Sequence, residues 1–397
     1  MQAIRSIIGK PMKKLVWAIL TIHLFVATSA QELQHDAIAI NIEVPVRVFK
    51  GNQFIDHLTI DDFEVYEDGI IQKIEAVYLI KKTEIAREDT LMKKEEARNR
   101  FTPQVARNFI LMFEVIDYLP KMKEAVEFFF EKIMTPQDTL MVITPMKTYK
   151  FNKKALADIP KENISILLNE TLRKDIKKRS MEYNSLLRDY KDLMRSDFPM
   201  DQKLFLIKDK IREFSQLRSL SEKKIQDFAE YLKKMPGQKH VFLFYQKELF
   251  PLPEIVFESF EYLELTGELM TLIPQNIDHI KQSFSDSSIA IHFLFITKPQ
   301  KEFASEYEAR QQGMAWEDIS AGMFNTFQQM SRSTGGLTES SANIAFSLEK
   351  AAAASENYYL LYYSPKNYRA DGKFREIKVK VKGQDFRVTH RAGYFAD

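Results

Sequence analysis

Five consecutive apolar residues, Phe109-Ile110-Leu111-Met112-Phe113, stand between the polar pair Arg107-Asn108 and Glu114. A run this short and unbroken suits a strand buried on both faces, because a strand with one wet face would alternate. Alternation is what the flanks of the chain show instead. Ile38, Ile40, Ile42, Val44, Val46 and Val48 fall at every second position, and Ile377, Val379 and Val381 repeat the pattern near the other end. The two kinds of strand predict two kinds of sheet in one chain.

From Asn108 onward, strand-like and helix-like segments alternate. The strand Thr139–Ile143 follows an amphipathic segment, Met122–Ile133. Further strands are predicted at Val241–Phe244, Ile289–Ile296 and Tyr358–Tyr363, separated by helices that include Trp316–Met330 and Ala342–Ala354. Such alternation predicts an α/β fold with a doubly wound, mainly parallel sheet over residues 108–363. Residues 37–80 form an N-terminal β segment and residues 366–397 a C-terminal one, expected to pack together. The highly charged residues 81–107 read as a linker.

Residues 163–218 interrupt the alternation. Ile164, Leu167, Leu168, Leu172, Leu186, Leu187, Tyr190 and Leu193 recur at helical spacing, break at Ser196-Asp197-Phe198-Pro199, and resume at Leu204, Ile207, Ile211 and Phe214. Three- and four-residue spacing with charge between predicts an inserted helical hairpin. It either packs along the domain or serves as a partner-binding arm.

The first thirty residues are unlike the rest. Arg5, Lys10, Lys13 and Lys14 precede the apolar stretch Leu15–Val26, and small residues end at Ala30. That order predicts a signal peptide over residues 1–30 and an exported, periplasmic or extracellular protein. The stretch is shorter than the roughly 20 residues a spanning helix needs. Removing residues 1–30 leaves 53 of the 57 basic residues against 55 acidic ones, a balance of −2. Near-neutrality gives no electrostatic footprint for nucleic acid. With no Cys in the chain, disulfides, thiolate nucleophiles and Cys-ligated zinc are excluded.

Three stretches together resemble the von Willebrand factor A-like secreted proteins of acidobacterial type. They are Asp61-Asp62-Phe63-Glu64-Val65-Tyr66-Glu67-Asp68-Gly69, Leu232-Lys233-Lys234-Met235-Pro236-Gly237-Gln238-Lys239, and Tyr358–Pro365 with Asp371–Arg375 and Arg391–Tyr394. The resemblance implies a metal site of Asp-x-Ser-x-Ser form after the first α/β strand. Here that stretch reads Glu114-Val115-Ile116-Asp117-Tyr118, and Ile116 offers no oxygen. Lys247 in Tyr245-Gln246-Lys247-Glu248 would repel a cation. Glu114, Asp117 and Ser221 are the weak metal candidates, for Mg²⁺ or Ca²⁺ with their oxygen shells. The alternative is a carboxylate capping a helix or loop amides.

No cofactor is expected. His35, His57, His240, His279, His292 and His390 are scattered without metal-ligand spacing, and no HExxH or Gly-x-Ser-x-Gly stretch occurs. The function expected is non-catalytic protein binding or scaffolding. The alternatives are a metal-dependent hydrolase or cation-dependent adhesion protein using Glu114 and Asp117, and a cell-envelope component docking through the helical insertion.

Overall fold

The computed structural model describes residues 40–51, 53–217, 222–253, 277–285, 288–297, 314–318, 320–383 and 385–396. The stretch expected to be a signal peptide, and Ser221, lie outside them. The chain opens with β1 (Ile42–Lys50), β2 (Gln53–Phe54), β3 (Phe63–Glu67), β4 (Ile70–Gln72), β5 (Ile74–Lys81), β6 (Glu84–Thr90) and helix α1 (Lys94–Arg100). Then come β7 (Arg107–Glu114), α2 (Pro120–Phe128), β8 (Thr139–Ile143), β9 (Thr148–Phe151), α3 (Lys153–Asp158), α4 (Lys161–Arg195), α5 (Met200–Leu217) and α6 (Glu222–Lys233). The rest comprises β10 (Gln238–Gln246), β11 (Leu249–Pro253), α7 (Ile277–Ser285), β12 (Ile289–Ile296), β13 (Met314–Asp318) and α8 (Ser320–Ser333). It ends with β14 (Thr338–Ser341), α9 (Ile344–Glu356), β15 (Asn357–Tyr363), β16 (Phe374–Val381), β17 (Arg387–His390) and β18 (Gly393–Phe395).

The apolar run of β7 explains its central place. Phe109, Leu111 and Phe113 join one hydrophobic core, with Met122 and Val126 of α2 and Leu348 of α9. Ile110 and Met112 join a second core on the other face, with Ile225 of α6, Ile280 of α7 and Phe327 of α8. The sheet order is β14-β12-β10-β7-β8-β9. Neighbours from β14 to β8 pair in parallel, while β9 returns antiparallel to β8.

The rest of the strand content overturns the expected fold class. β1, β2, β5, β6, β15 and β17 form an antiparallel sheet, β3, β4, β16 and β18 another, and β11 with β13 a third. Among the described residues only one sheet is partly parallel, so the molecule is a mixed α and β protein and not a doubly wound parallel one. Two-sided burial, legible in β7, β10 and β12, does not fix the direction of the other strands. β15, buried along nearly its whole length like the parallel strands, pairs antiparallel with β1 and β5, so burial alone did not show which sheet it joins.

Other elements also depart from expectation. Residues 81–107 are no linker: β6 pairs with β5, and α1 seats Ala97 and Phe101 in a core with Tyr78 and Tyr362. The charge there belongs to an edge strand, a common guard against further pairing. Trp316 lies in β13, and the helix expected to start there starts at Ser320.

The inserted hairpin is α4 and α5. α4 runs 35 residues, about 50 Å at 1.5 Å per residue. Pro199 follows its end, and the residue before a proline is pushed out of helical conformation. Ile164, Leu168, Leu172 and Ile176 pack the first half of α4 into the central core. Tyr183, Leu187 and Tyr190 then build a satellite core with Ile207, Ile211 and Phe214 of α5 and Phe250 of β11.

Glu43 of β1 joins the antiparallel and central sheets. Its carboxylate accepts from Gln238 Nε2 at 2.8 Å and from the Tyr362 hydroxyl. Arg47, also on β1, donates to the backbone carbonyls of Gly335 and Ala354.

Candidate functional site

Parallel pairing of β7 with β10 sets Glu114 opposite Tyr245, so the loops after both strands meet at one rim. There the side-chain oxygen of Gln246 accepts from the backbone N–H groups of Ile116, at 3.2 Å, and Asp117, at 3.0 Å. A neutral amide thus occupies the loop donors, a task the sequence suggested a carboxylate would perform. Asp117 turns away and accepts from Ser180 Oγ of α4 at 3.0 Å. Lys247 is held by Asp318 at 3.2 Å.

Glu114 and Asp117 face different spaces. Glu114 lines a small cavity of about 30 Å³ with Arg179, Tyr183 and Glu248. Asp117 lines a cleft of about 1320 Å³ between α2 and α4. The two candidate ligands are therefore not brought together, and Ser221 lies outside the described residues. No group of three or more His, Asp or Glu side chains among the described residues could hold a metal ion.

The cleft has partly apolar walls and carries charges of both signs. At one end Lys161 of α4 reaches the carbonyl of Met134; at the other, Ser180 holds Asp117. Between them the Tyr118 hydroxyl donates to Asn169 Oδ1 at 3.5 Å. Burial raises the Tyr118 pKa, opposed by the nearby Arg173 cation. Lys123, Arg173 and Lys177 share the walls with Glu127, Glu131 and Glu170. Such a surface can bind groups of either sign.

Spacing gave no sign of a pair that the fold creates. His240 of β10 and His292 of β12 stack with ring centroids 6.0 Å apart, both buried. Among the described residues their ring nitrogens have no hydrogen-bond partner. Burial pushes the His292 pKa down to about 3, and burial, then His292 and the cations Arg47, Arg107 and Lys239, push His240 well below its usual value. Both are neutral core residues. Only the parallel register of β10 and β12, absent from the sequence pattern, could have joined them.

The hairpin shows the opposite pattern, with apolar side chains in water. Phe205 is 71% exposed, Met181 64% and Phe198 51%, with Leu206 exposed beside Phe205. Phe198 stands at the bend, and Phe205 and Leu206 in the second turn of α5. The tyrosines of the Tyr358–Pro365 stretch do the reverse: Tyr358, Tyr359, Tyr362 and Tyr363 are all buried.

No protein-family model matches the chain, and no curated protein matches it.

Proposed function

We propose that this chain is an exported, non-catalytic binding or scaffold protein that engages a protein partner through the bend and second arm of its α4–α5 hairpin. The observation that carries the reading is the exposure of Phe198, Phe205 and Leu206 on an element that already has its own buried core. Isolated exposed apolar residues are ordinary, but large aromatic side chains grouped on one element favour an interaction surface. Aromatic anchors supply much of the binding energy at protein interfaces. The signal-like residues 1–30 support export, and the three motifs resembling von Willebrand factor A-like secreted proteins support a binding role. No helix among the described residues is long and apolar enough to cross a membrane.

The test is a cross-linked pull-down from a periplasmic extract with wild type and the double variant Phe198→Ser/Phe205→Ser. Both positions are exposed, so the fold should be retained, as near-ultraviolet circular dichroism would verify. Wild type should recover a defined partner that the double variant loses. Recovery of the same partner by both, or of none by wild type across conditions, would sink the reading.

A further inference from the structure

The cleft between α2 and α4 sorts its charges by position. The hydrogen bond from Lys161 to the carbonyl of Met134 sets the start of α4 beside the end of α2. The one from Ser180 to Asp117 sets the middle of α4 beside the beginning of α2, so the two helices flank the cleft antiparallel. Glu131, Glu162 and Glu170 line it towards the first end, Arg173 and Lys177 towards the second. All five are exposed, and none makes an ion pair or hydrogen bond among the described residues. Lys123 and Glu127 offset each other as an ion pair at 3.6 Å. Lys161 at one end and Asp117 at the other reduce the imbalance without removing it. The first end keeps an excess of negative charge and the second an excess of positive charge.

The floor adds a second observation. Ser165 and Asn169 line the cleft one helical turn apart and are only 5% and 7% exposed. Neither Ser165 Oγ nor Asn169 Nδ2 has a hydrogen-bond partner among the described residues. A buried donor left unmade is costly, and native structures seldom keep one without a task. Asn169 falls between Glu162 and Arg173, hence between the two charged ends, and exposed Ile166 gives the same wall an apolar patch. From Glu162 to Lys177 α4 rises about 22 Å at 1.5 Å per residue. That is the span of about seven residues of extended chain at about 3.3 Å each, and far beyond the reach of a free amino acid.

We infer that this cleft binds an extended peptide that is basic at one end and acidic at the other. Its basic end meets Glu131 and Glu162, its acidic end meets Arg173 and Lys177, and a backbone carbonyl between them accepts from Asn169 Nδ2. Tyr118, half-buried with its hydroxyl 3.5 Å from Asn169 Oδ1, turns aside to admit that carbonyl. Opposite charges fixed at the two ends set register and reject peptides of one sign. The inference is independent of partner binding through the hairpin bend, since Phe198, Phe205 and Leu206 do not line this cleft.

Calorimetric titration of the full chain with acetyl-Lys-Lys-Thr-Val-Thr-Glu-Glu-amide tests it, the blocked termini leaving all charge on side chains. This peptide should bind saturably at one site. Analogues with Lys-Lys at both ends, or Glu-Glu at both ends, should bind about tenfold more weakly or worse. The double variant Arg173→Glu/Lys177→Glu, at two exposed positions, should reverse the order and favour the peptide with lysines at both ends. Asn169→Leu should weaken the mixed peptide about fivefold and leave the charge preference as it was. If that variant fails to fold, Asn169→Asp removes the donor at nearly constant size. Phe198→Ser/Phe205→Ser should bind the peptide as wild type does. The inference is overturned if the mixed peptide shows no saturable binding, or if either one-signed analogue matches it on wild type. It is equally overturned if the Arg173/Lys177 variant keeps the wild-type order, if a folded Asn169 variant binds undiminished, or if the hairpin variant loses the peptide.

Discussion

Arg107 lays Nε and Nη2 on the two carboxylate oxygens of Asp138, at 2.9 and 2.7 Å, with neither side chain exposed. The same carboxylate caps the turn before β8, accepting from the backbone N–H of Thr135 at 2.6 Å and its hydroxyl at 2.9 Å. The pair therefore pins the start of β7 to the start of β8. Removing one partner of a buried pair leaves an uncompensated charge, at a cost of about 3–5 kcal/mol. Arg107→Met and Asp138→Leu should each lose about that much in urea denaturation. The double variant should be more stable than the sum of the two losses implies, by at least 1 kcal/mol or so. Simple addition of the two losses would show that the side chains do not act as a pair. Arg107→Lys should not rescue, because a lysine cannot make the two-pronged contact.

His240 and His292 make stability depend on acidity. Each has a folded pKa below its unfolded value of about 6.5, so below that pH the unfolded chain binds protons that the folded chain refuses. Stability is unaffected by the pair above about pH 6.5 and falls as pH drops from there towards the folded value of His292, about 3. The slope approaches about 1.4 kcal/mol per pH unit for each histidine. Between pH 6.5 and 5, where carboxylates stay ionised, His390, also pushed down by burial, adds to the loss, so His292→Phe should remove about a third of it, since a phenyl ring can stack on Phe242 as the imidazole does at 5.0 Å. An unchanged pH slope in that variant would mean the pair is not the source.

Much of the fold could be read from side-chain periodicity, but the joins between elements could not. The run Phe109–Phe113 identified a strand buried on two faces, and the spacing of Leu186, Leu187 and Tyr190 identified the first arm of the hairpin, because burial leaves a local trace in sequence. Strand direction leaves no such trace. The parallel register that brings His292 beside His240, and the antiparallel sheets that displace a doubly wound design, are set by contacts between distant segments. The candidate rim was legible in position but not in chemistry: the sequence pointed to the carboxylates of Glu114 and Asp117, while the loop is held by Gln246, from a strand about 130 residues away.

Gly336 and Gly69 should respond very differently to the same substitution. A Cβ on Gly336 would stand 1.9 Å from the carbonyl oxygen of Ile291, backbone that cannot step aside without moving β12. Gly69 has φ +80° in the turn between β3 and β4, with open space where its Cβ would lie. Gly69→Ala thus costs only backbone strain, about 1 kcal/mol. Gly336→Ala displaces a strand of the central sheet and should cost several times that, about 3 kcal/mol or more. Thermal denaturation of the two variants checks the order; equal losses would place the steric conflict elsewhere.

Gln246 closes the loop after β7 by accepting two backbone hydrogen bonds with one oxygen. Leucine fills similar space but cannot accept, so Gln246→Leu leaves both donors without their partner, at a cost of about 1–3 kcal/mol. Glutamate keeps an acceptor in the same place and should hold the loop nearly as well. The local readout is amide hydrogen exchange at Ile116 and Asp117. Both amides should exchange at least tenfold faster in Gln246→Leu, while amides in the middle of β7 exchange as in wild type. In Gln246→Glu they should stay protected. Protection at Ile116 and Asp117 that survives the leucine substitution would mean that the loop is ordered by its own packing, with the amide oxygen of Gln246 a bystander.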